Sequence, residues 1–177
     1  MPDAAGLELI AQEVNTRHDG AVMGTAFDHG QATLLVGPAS VRQTLSYLKE
    51  APGQEYNFLS SLHAADYLPK SPRFAVHYEL LCMPRVERIR VKCLLDLPEE
   101  DGVLPRVDSV CEIYPTAEFQ EREVYDFFGI AFRGHPDLRR ILMPEDYVGW
   151  PQRRDFPVGG DPVIFTNTER ETPGWTR

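Results

Sequence analysis

Lysine is nearly missing from this sequence. Lys49, Lys70 and Lys92 are the only ones, and every basic residue after Lys92 is Arg. Arg makes planar, bidentate contacts that Lys cannot, so an arginine-only second half points to specific ion pairing. Positive charge is scarce overall: 18 Lys+Arg stand against 27 Asp+Glu, a net charge of −9. That balance argues against nucleic acid or an anionic membrane surface as the main partner, because both require basic residues to neutralise phosphates. Cysteine is also scarce. Cys82, Cys93 and Cys111 are odd in number and widely spaced, with no C-x-x-C pair. Iron–sulfur and zinc sites usually take closely spaced thiolates, so the three are read as reduced, packed residues and no metal is expected in this chain alone.

Long apolar runs are absent as well. Nothing approaches the roughly 20 apolar residues of a membrane-spanning helix. Met1-Pro2-Asp3-Ala4 starts with an acid and lacks the basic and apolar regions of a signal peptide. The expectation is a cytoplasmic protein, or one on the cytoplasmic side of a membrane. No G-x-x-x-x-G-K-[ST] occurs, no G-x-G-x-x-G follows a strand, and no Ser or Cys sits in a nucleophile elbow. Nucleotide binding therefore has no support.

What is present is enough for a core. The chain has 177 residues, 42% of them hydrophobic, which fits one domain plus a modest appendage. Leu7, Ile10 and Val14 share a helical face. Residues 21–27 and 32–36 read as strands around a hairpin turn, Asp28-His29-Gly30. A second helix follows Gly37-Pro38, with Val41, Leu45 and Leu48 along one side and Pro52-Gly53 closing it. Three strands are expected at about 56–63, 73–82 and 87–96. In the last, Ile89, Val91, Cys93 and Leu95 alternate with Arg88, Arg90, Lys92 and Leu94. Val107, Val110 and Ile113 suggest a short helix ended by Pro115. A further helix is expected from Thr116, in the N-cap position, to Phe128, with Gly129 as its stop. The fold class is α+β: a mixed or antiparallel sheet of about five strands with helices packed on it.

Beyond residue 141 the character changes. Pro144, Pro151, Pro157, Pro162 and Pro173 forbid a long helix or a central strand. Tyr147, Trp150, Phe156, Phe165 and Trp175 make the segment too aromatic for a solvated linker. The organisation is a domain over 1–141 and an extended segment over 142–177. Composition leaves two destinations open for that segment, its own domain or a partner protein.

Chemistry-bearing residues crowd between Glu118 and Arg140. On a helix, Glu118, Arg122 and Asp126 stack at i, i+4 and i+8 as a ladder of opposite charges, and Val124 with Phe127 or Phe128 faces the core. Glu121 and Glu123 point about 200° apart on a helix, so they cannot share one substrate atom. Glu121, Glu123 and His135 lack the i, i+3 or i, i+4 spacing that brings two metal ligands to one helical face. His135 precedes Pro136 and is read as bonding backbone at a turn. The remaining reading is an interface rich in Arg and aromatics.

The run Glu121-Arg122-Glu123-Val124-Tyr125-Asp126-Phe127-Phe128-Gly129-Ile130, then Phe132, Gly134-His135-Pro136-Asp137-Leu138-Arg139-Arg140-Ile141-Leu142 and Pro144, resembles the signature of the C-type subunit family of respiratory complex I. Gly149-Trp150-Pro151-Gln152-Arg153-Arg154-Asp155-Phe156-Pro157 resembles its continuation. Phe119 stands where that family commonly has Trp, Phe127 where Met or Leu is usual, and Gln152 where Leu is usual.

The resemblance implies a subunit of the hydrophilic arm of proton-translocating NADH:quinone oxidoreductase, peripheral on the cytoplasmic side and touching the membrane only through the complex. It implies no catalytic residue, flavin, iron–sulfur cluster or metal in this chain, with FMN, clusters and quinone held by partner subunits. The D-type subunit, which helps form the quinone pocket, is the implied main partner. The B-type and I-type subunits lie nearby, and the C-terminal segment clasps the D-type one. Glu121, Arg122, Asp126, Arg139, Arg140, Arg153 and Asp155 would be the ion-pairing residues, with Glu123, Tyr125, Gly129, His135, Pro136, Leu138 and Pro151 completing the signature. A related membrane-bound hydrogenase or other-donor dehydrogenase is the alternative complex. A stand-alone enzyme using the Glu/His cluster is the alternative of another class.

Overall fold

The computed structural model describes residues 2–100 and 102–157. Helix α1 (Ala4–Arg17) begins at Asp3, whose carboxylate accepts the Gly6 N–H at 2.7 Å, and buries Leu7, Ile10 and Val14. Strands β1 (Val22–Asp28) and β2 (Gln31–Val36) form the expected hairpin. Its two turn residues, His29 and Gly30, lie at φ 52° and 75°, the left-handed pair that matches the twist of the flanking strands. Helix α2 (Val41–Glu50) places Val41, Leu45 and Leu48 wholly inside. Strands β3 (Phe58–Asp66), β4 (Phe74–Cys82) and β5 (Glu87–Leu95) then form an antiparallel meander.

The sheet order is β1-β2-β5-β4-β3, with β2 and β5 parallel and all other neighbours antiparallel. The α+β mixed sheet of five strands is as the sequence indicated. The alternation in β5 sends Ile89, Val91, Cys93 and Leu95 into the core while Arg88 stays exposed and Arg90 and Lys92 are half-buried. Both sheet edges receive side-chain partners from helices. Asn15 of α1 bonds the N–H and C=O of Val22 at 2.8 and 3.0 Å. At the opposite edge, the Thr116 hydroxyl donates to the Leu59 carbonyl at 3.1 Å and the Gln120 carboxamide oxygen accepts the Leu62 N–H. These bonds satisfy groups that an open edge would offer to another chain.

The segment after β5 corrects the sequence reading. Val107 does not open a helix; β6 (Arg106–Asp108) pairs in parallel with β7 (Ala131–Arg133) in a small second sheet. Val110 and Ile113 lie in the turns that follow, where Ile113 and Tyr114 donate to the Val110 carbonyl. Three-residue spacing serves consecutive turns as well as a helical face, and all three side chains are buried. Helix α3 (Ala117–Phe128) ends at Gly129 with φ +66°, as the sequence indicated. Thr116 precedes α3 without a side-chain cap bond, because its hydroxyl is used on the β3 edge. Among the described residues no helix is long and apolar enough to cross a membrane.

Candidate functional site

Helix α3 carries two carboxylates into the interior. Glu121 and Asp126 have no exposed surface, whereas Glu123, two residues from Glu121, faces solvent. The expected Glu118–Arg122–Asp126 ladder does not form. Arg122 donates to the carbonyls of Arg139 and Arg140, at 3.2 and 3.1 Å, and Asp126 turns to a different arginine. Tertiary partners with fixed backbone outcompete a solvated helical pair, which contributes only a few tenths of a kcal/mol.

Asp126 is the first hub. One carboxylate oxygen accepts three consecutive N–H groups, from Ile141, Leu142 and Met143, at 3.1, 2.7 and 2.8 Å. The other accepts Arg140 at 2.7 Å. Burial pushes this carboxyl upward, but the Met143 N–H, Arg140 and the Leu142 and Ile141 N–H groups hold it below the usual carboxylate range. Arg140 also donates to the carbonyls of Asp126, Tyr147 and Gly149 and lies 4.6 Å from the Trp150 ring centroid. One guanidinium thus ties α3 to two points of the following segment, a use of the planar fork that Lys could not copy.

Arg153 and Trp150 make the second hub. Arg153 donates to the Phe128 carbonyl at 2.6 Å and lies 5.2 Å from the Phe74 centroid. Burial and the like charge of Arg73 lower its proton affinity, against the pull of Asp155 and Asp66. Trp150 meets Tyr125 edge-on at 5.3 Å and lies directly over Gly129, where an added Cβ would sit 2.5 Å from the indole. Gly129 is therefore required twice, for its positive φ and for this approach.

The third hub is Asp66–Arg73–Asp155. Arg73 forks to both oxygens of Asp66, at 3.1 and 2.7 Å, and reaches Asp155 at 2.7 Å. Asp66 also accepts the N–H groups of Leu68 and Arg154. Burial opposes ionisation of Asp66, but Arg73 and these N–H groups bring its pKa down to about 2. Arg73 first, then burial in the opposite sense, govern Asp155, whose pKa is also lowered. Through these hubs residues 142–157 lie on their own domain. The rest of the extended segment expected over 142–177 lies outside the described residues.

Glu121 organises the remaining cluster. It accepts the Val110 N–H at 2.8 Å, the Ser109 hydroxyl at 2.7 Å and the Cys111 thiol at 3.4 Å. Burial raises its pKa, and these three donors oppose the rise. His135 donates from Nε2 to the Glu118 carbonyl at 2.9 Å and accepts the Asp137 N–H on Nδ1 at 3.0 Å. The ligand atoms of Cys111, Glu121 and His135 all lie within 4.8 Å of one another. Glu123 takes no part in that group.

The structure thus gathers Glu121 with His135, Asp126 with Arg140, and Arg153 and Tyr125 with Trp150. Leu138 packs partly buried on the core, and Pro151 is half-buried. Arg139 is largely exposed and its side chain pairs with exposed Asp137 beside it, at 2.8 Å, and Pro136 is exposed. Asp66, Arg73, Ser109 and Cys111 were not singled out as site residues. Asp66 lies seven residues from Arg73, and Cys111 and Ser109 lie ten and twelve from Glu121, each pair across a change of element, so no helical or strand spacing marks them.

Comparisons with known proteins place the chain among relatives. Residues 34–162 match the family model described as respiratory-chain NADH dehydrogenase, 30 Kd subunit. The C-type subunit of NADH-quinone oxidoreductase from Herpetosiphon aurantiacus is 39% identical over 96% of this chain and 93% of its own. That of Geotalea uraniireducens is 41% identical over 90% and 93%. A solved trypsin-resistant fragment of Nqo5 is 32% identical, with a TM-score of 0.60 over 75% of this chain and 98% of that one. A chain of the membrane-bound sulfane sulfur reductase, an archaeal respiratory membrane complex, shares the fold with a TM-score of 0.66 at 22% identity.

Proposed function

Because the chain belongs to the respiratory-chain NADH dehydrogenase 30 kDa subunit family, as the C-type subunit of NADH-quinone oxidoreductase, we propose that its work in the peripheral arm of complex I is positional. It carries no catalytic residue. It docks on the subunits that hold the terminal iron–sulfur cluster and the quinone, the D-type subunit foremost with the B-type and I-type ones nearby, and keeps their spacing fixed. FMN, clusters and quinone belong to those partners, and the chain is peripheral on the cytoplasmic side of the membrane. Electrons from NADH then pass to quinone in an arm whose geometry this subunit braces.

The observation that carries this reading is the use of the signature. Asp126, Arg140, Arg153 and Asp155 are engaged with carboxylates, guanidinium groups and backbone, which shapes residues 139–157 into a defined surface. Glu123, Phe119, Leu142 and Val148 remain outward on that part of the molecule. They are available to a partner.

Arg140→Ala tests the proposal. Blue-native gels should show less assembled complex, while quinone-reductase activity normalised to assembled enzyme stays near wild type. Full assembly with lost turnover would overturn the positional reading.

A further inference from the structure

One cluster is left over by the bracing role. We propose that Cys111, Glu121 and His135 form a binding site for a thiophilic divalent cation, with Zn2+ the ion that fits it.

Three observations converge. The first is spacing. Tetrahedral bonds of about 2.3 Å to sulfur and about 2.0 Å to oxygen put two such ligands about 3.5 Å apart. Cys111 Sγ and Glu121 Oε2 are 3.4 Å apart, and a His135 ring nitrogen lies within 4.8 Å of both. The second is charge. Glu121 is wholly buried, yet every donor it accepts among the described residues, Ser109, Val110 and Cys111, is neutral. A thiolate, a carboxylate and a neutral imidazole together balance a dication, so loading the site gives the buried carboxylate a cationic partner. The third is access. Cys111 and His135 are half-buried, so part of each residue reaches the surface, while Glu121 is wholly buried beneath them.

The ligand set selects the ion. A thiolate disfavours Mg2+ and Ca2+, which take all-oxygen shells, and a Cys/His/carboxylate trio suits Zn2+ with water in the fourth position. Binding expels the Cys111 proton and exchanges one backbone bond of the His135 ring, from Glu118 or Asp137, for the metal. The Ser109 hydroxyl already bonds the Glu121 carboxylate and would orient it from behind. Such an ion would cross-link the 109–111 turn, α3 and the His135 turn.

The test uses the full-length chain, reduced and stripped of metal, titrated with Co2+ as a spectroscopic stand-in and with Zn2+ in competition. Expected are one Co2+ per chain, the intense visible bands of a tetrahedral ion and a thiolate-to-cobalt charge-transfer band, all abolished by Zn2+. Cys111→Ser keeps a hydroxyl beside Glu121 and should fold. In it the charge-transfer band should vanish and affinity should fall by about 100-fold or more, beyond the 10–100-fold typical of outer-shell losses. Zn2+ should raise the Tm of the parent chain and not that of Cys111→Ser. A pale octahedral spectrum without the sulfur band would overturn the site. So would unchanged affinity, or an equal Tm rise, in Cys111→Ser.

Discussion

Asp126 and Arg140 meet at 2.7 Å with the carboxylate wholly buried and the guanidinium 11% exposed. The contact joins the last turn of α3 to the chain that follows β7. Removing one member of such a pair leaves a desolvated charge, which costs about 3–5 kcal/mol. Arg140→Ala should therefore lower unfolding free energy by about that amount. Arg139→Ala, at the neighbouring exposed position, should change it by less than about 1 kcal/mol. Urea denaturation of the two variants checks the contrast, and equal losses would refute it.

The fit of Trp150 onto Gly129 makes a second prediction. Gly129→Ala meets both a positive φ, unfavourable for a side chain by about 1–2 kcal/mol, and the indole. Trp150→Ala removes the obstacle. The double variant should therefore be less destabilised than the sum of the single ones, by at least about 0.5 kcal/mol, in a thermodynamic cycle read by denaturation. Strict additivity would show that the two residues do not touch.

His77 should give the protein an acid-sensitive limb. Its ring stacks on His63 at 4.9 Å and bonds the Tyr67 hydroxyl at 3.2 Å. Burial, with the neighbouring His63 and the positive charges of Arg90 and Lys92, lowers its pKa to about 3. The unfolded chain then binds the proton first. Stability contributed by the neutral ring is complete above about pH 6.5 and is lost as pH falls toward 3. Glu121, with its pKa raised, acts with the opposite sign above the ordinary carboxylate range, so the total curve mixes the two. The difference between the parent chain and His77→Phe isolates the histidine. It should slope by up to about 1.4 kcal/mol per pH unit between pH 6 and 4. A flat difference would exclude His77 as the source.

The thiols should separate by burial. Cys82 and Cys93 have no exposed surface, and burial pushes the Cys93 thiol up to about 12. Cys111 is half-buried, and burial, together with its carboxylate neighbour Glu121, raises it to about 11. Alkylation of native protein followed by mass spectrometry should find slow modification of Cys111 and none of the other two until denaturant is added. Prompt labelling of Cys93 would contradict the core described here.

The hairpin, the face of α2 and the alternation of β5 were legible because their signals are local. Two turn residues, a helical stripe and a period of two are each complete within about ten positions. The stop of α3 at Gly129 was legible for the same reason. The Val107–Ile113 segment was not, because its spacing fits turns as well as a helix and only pairing with Phe132 decides between them. The charge ladder on α3 failed in a related way. Its partners are correct for an isolated helix, but Arg122 and Asp126 found stronger ones in residues 139–143.

Sequence alone determined that this is an acidic α+β chain with no apolar span, and its contiguous signature determined the family. Those properties depend on residue identity and near-neighbour order. Tertiary structure decided which charges meet. Asp66 finds Asp155 through Arg73, Glu121 gathers Ser109, Val110 and Cys111, and the few cysteines acquire different surroundings. A buried charge takes whichever partner the fold brings within about 3 Å, because leaving it unpaired costs far more than any local preference can offer. The late switch from lysine to arginine announced that such partners exist. Only the fold could name them.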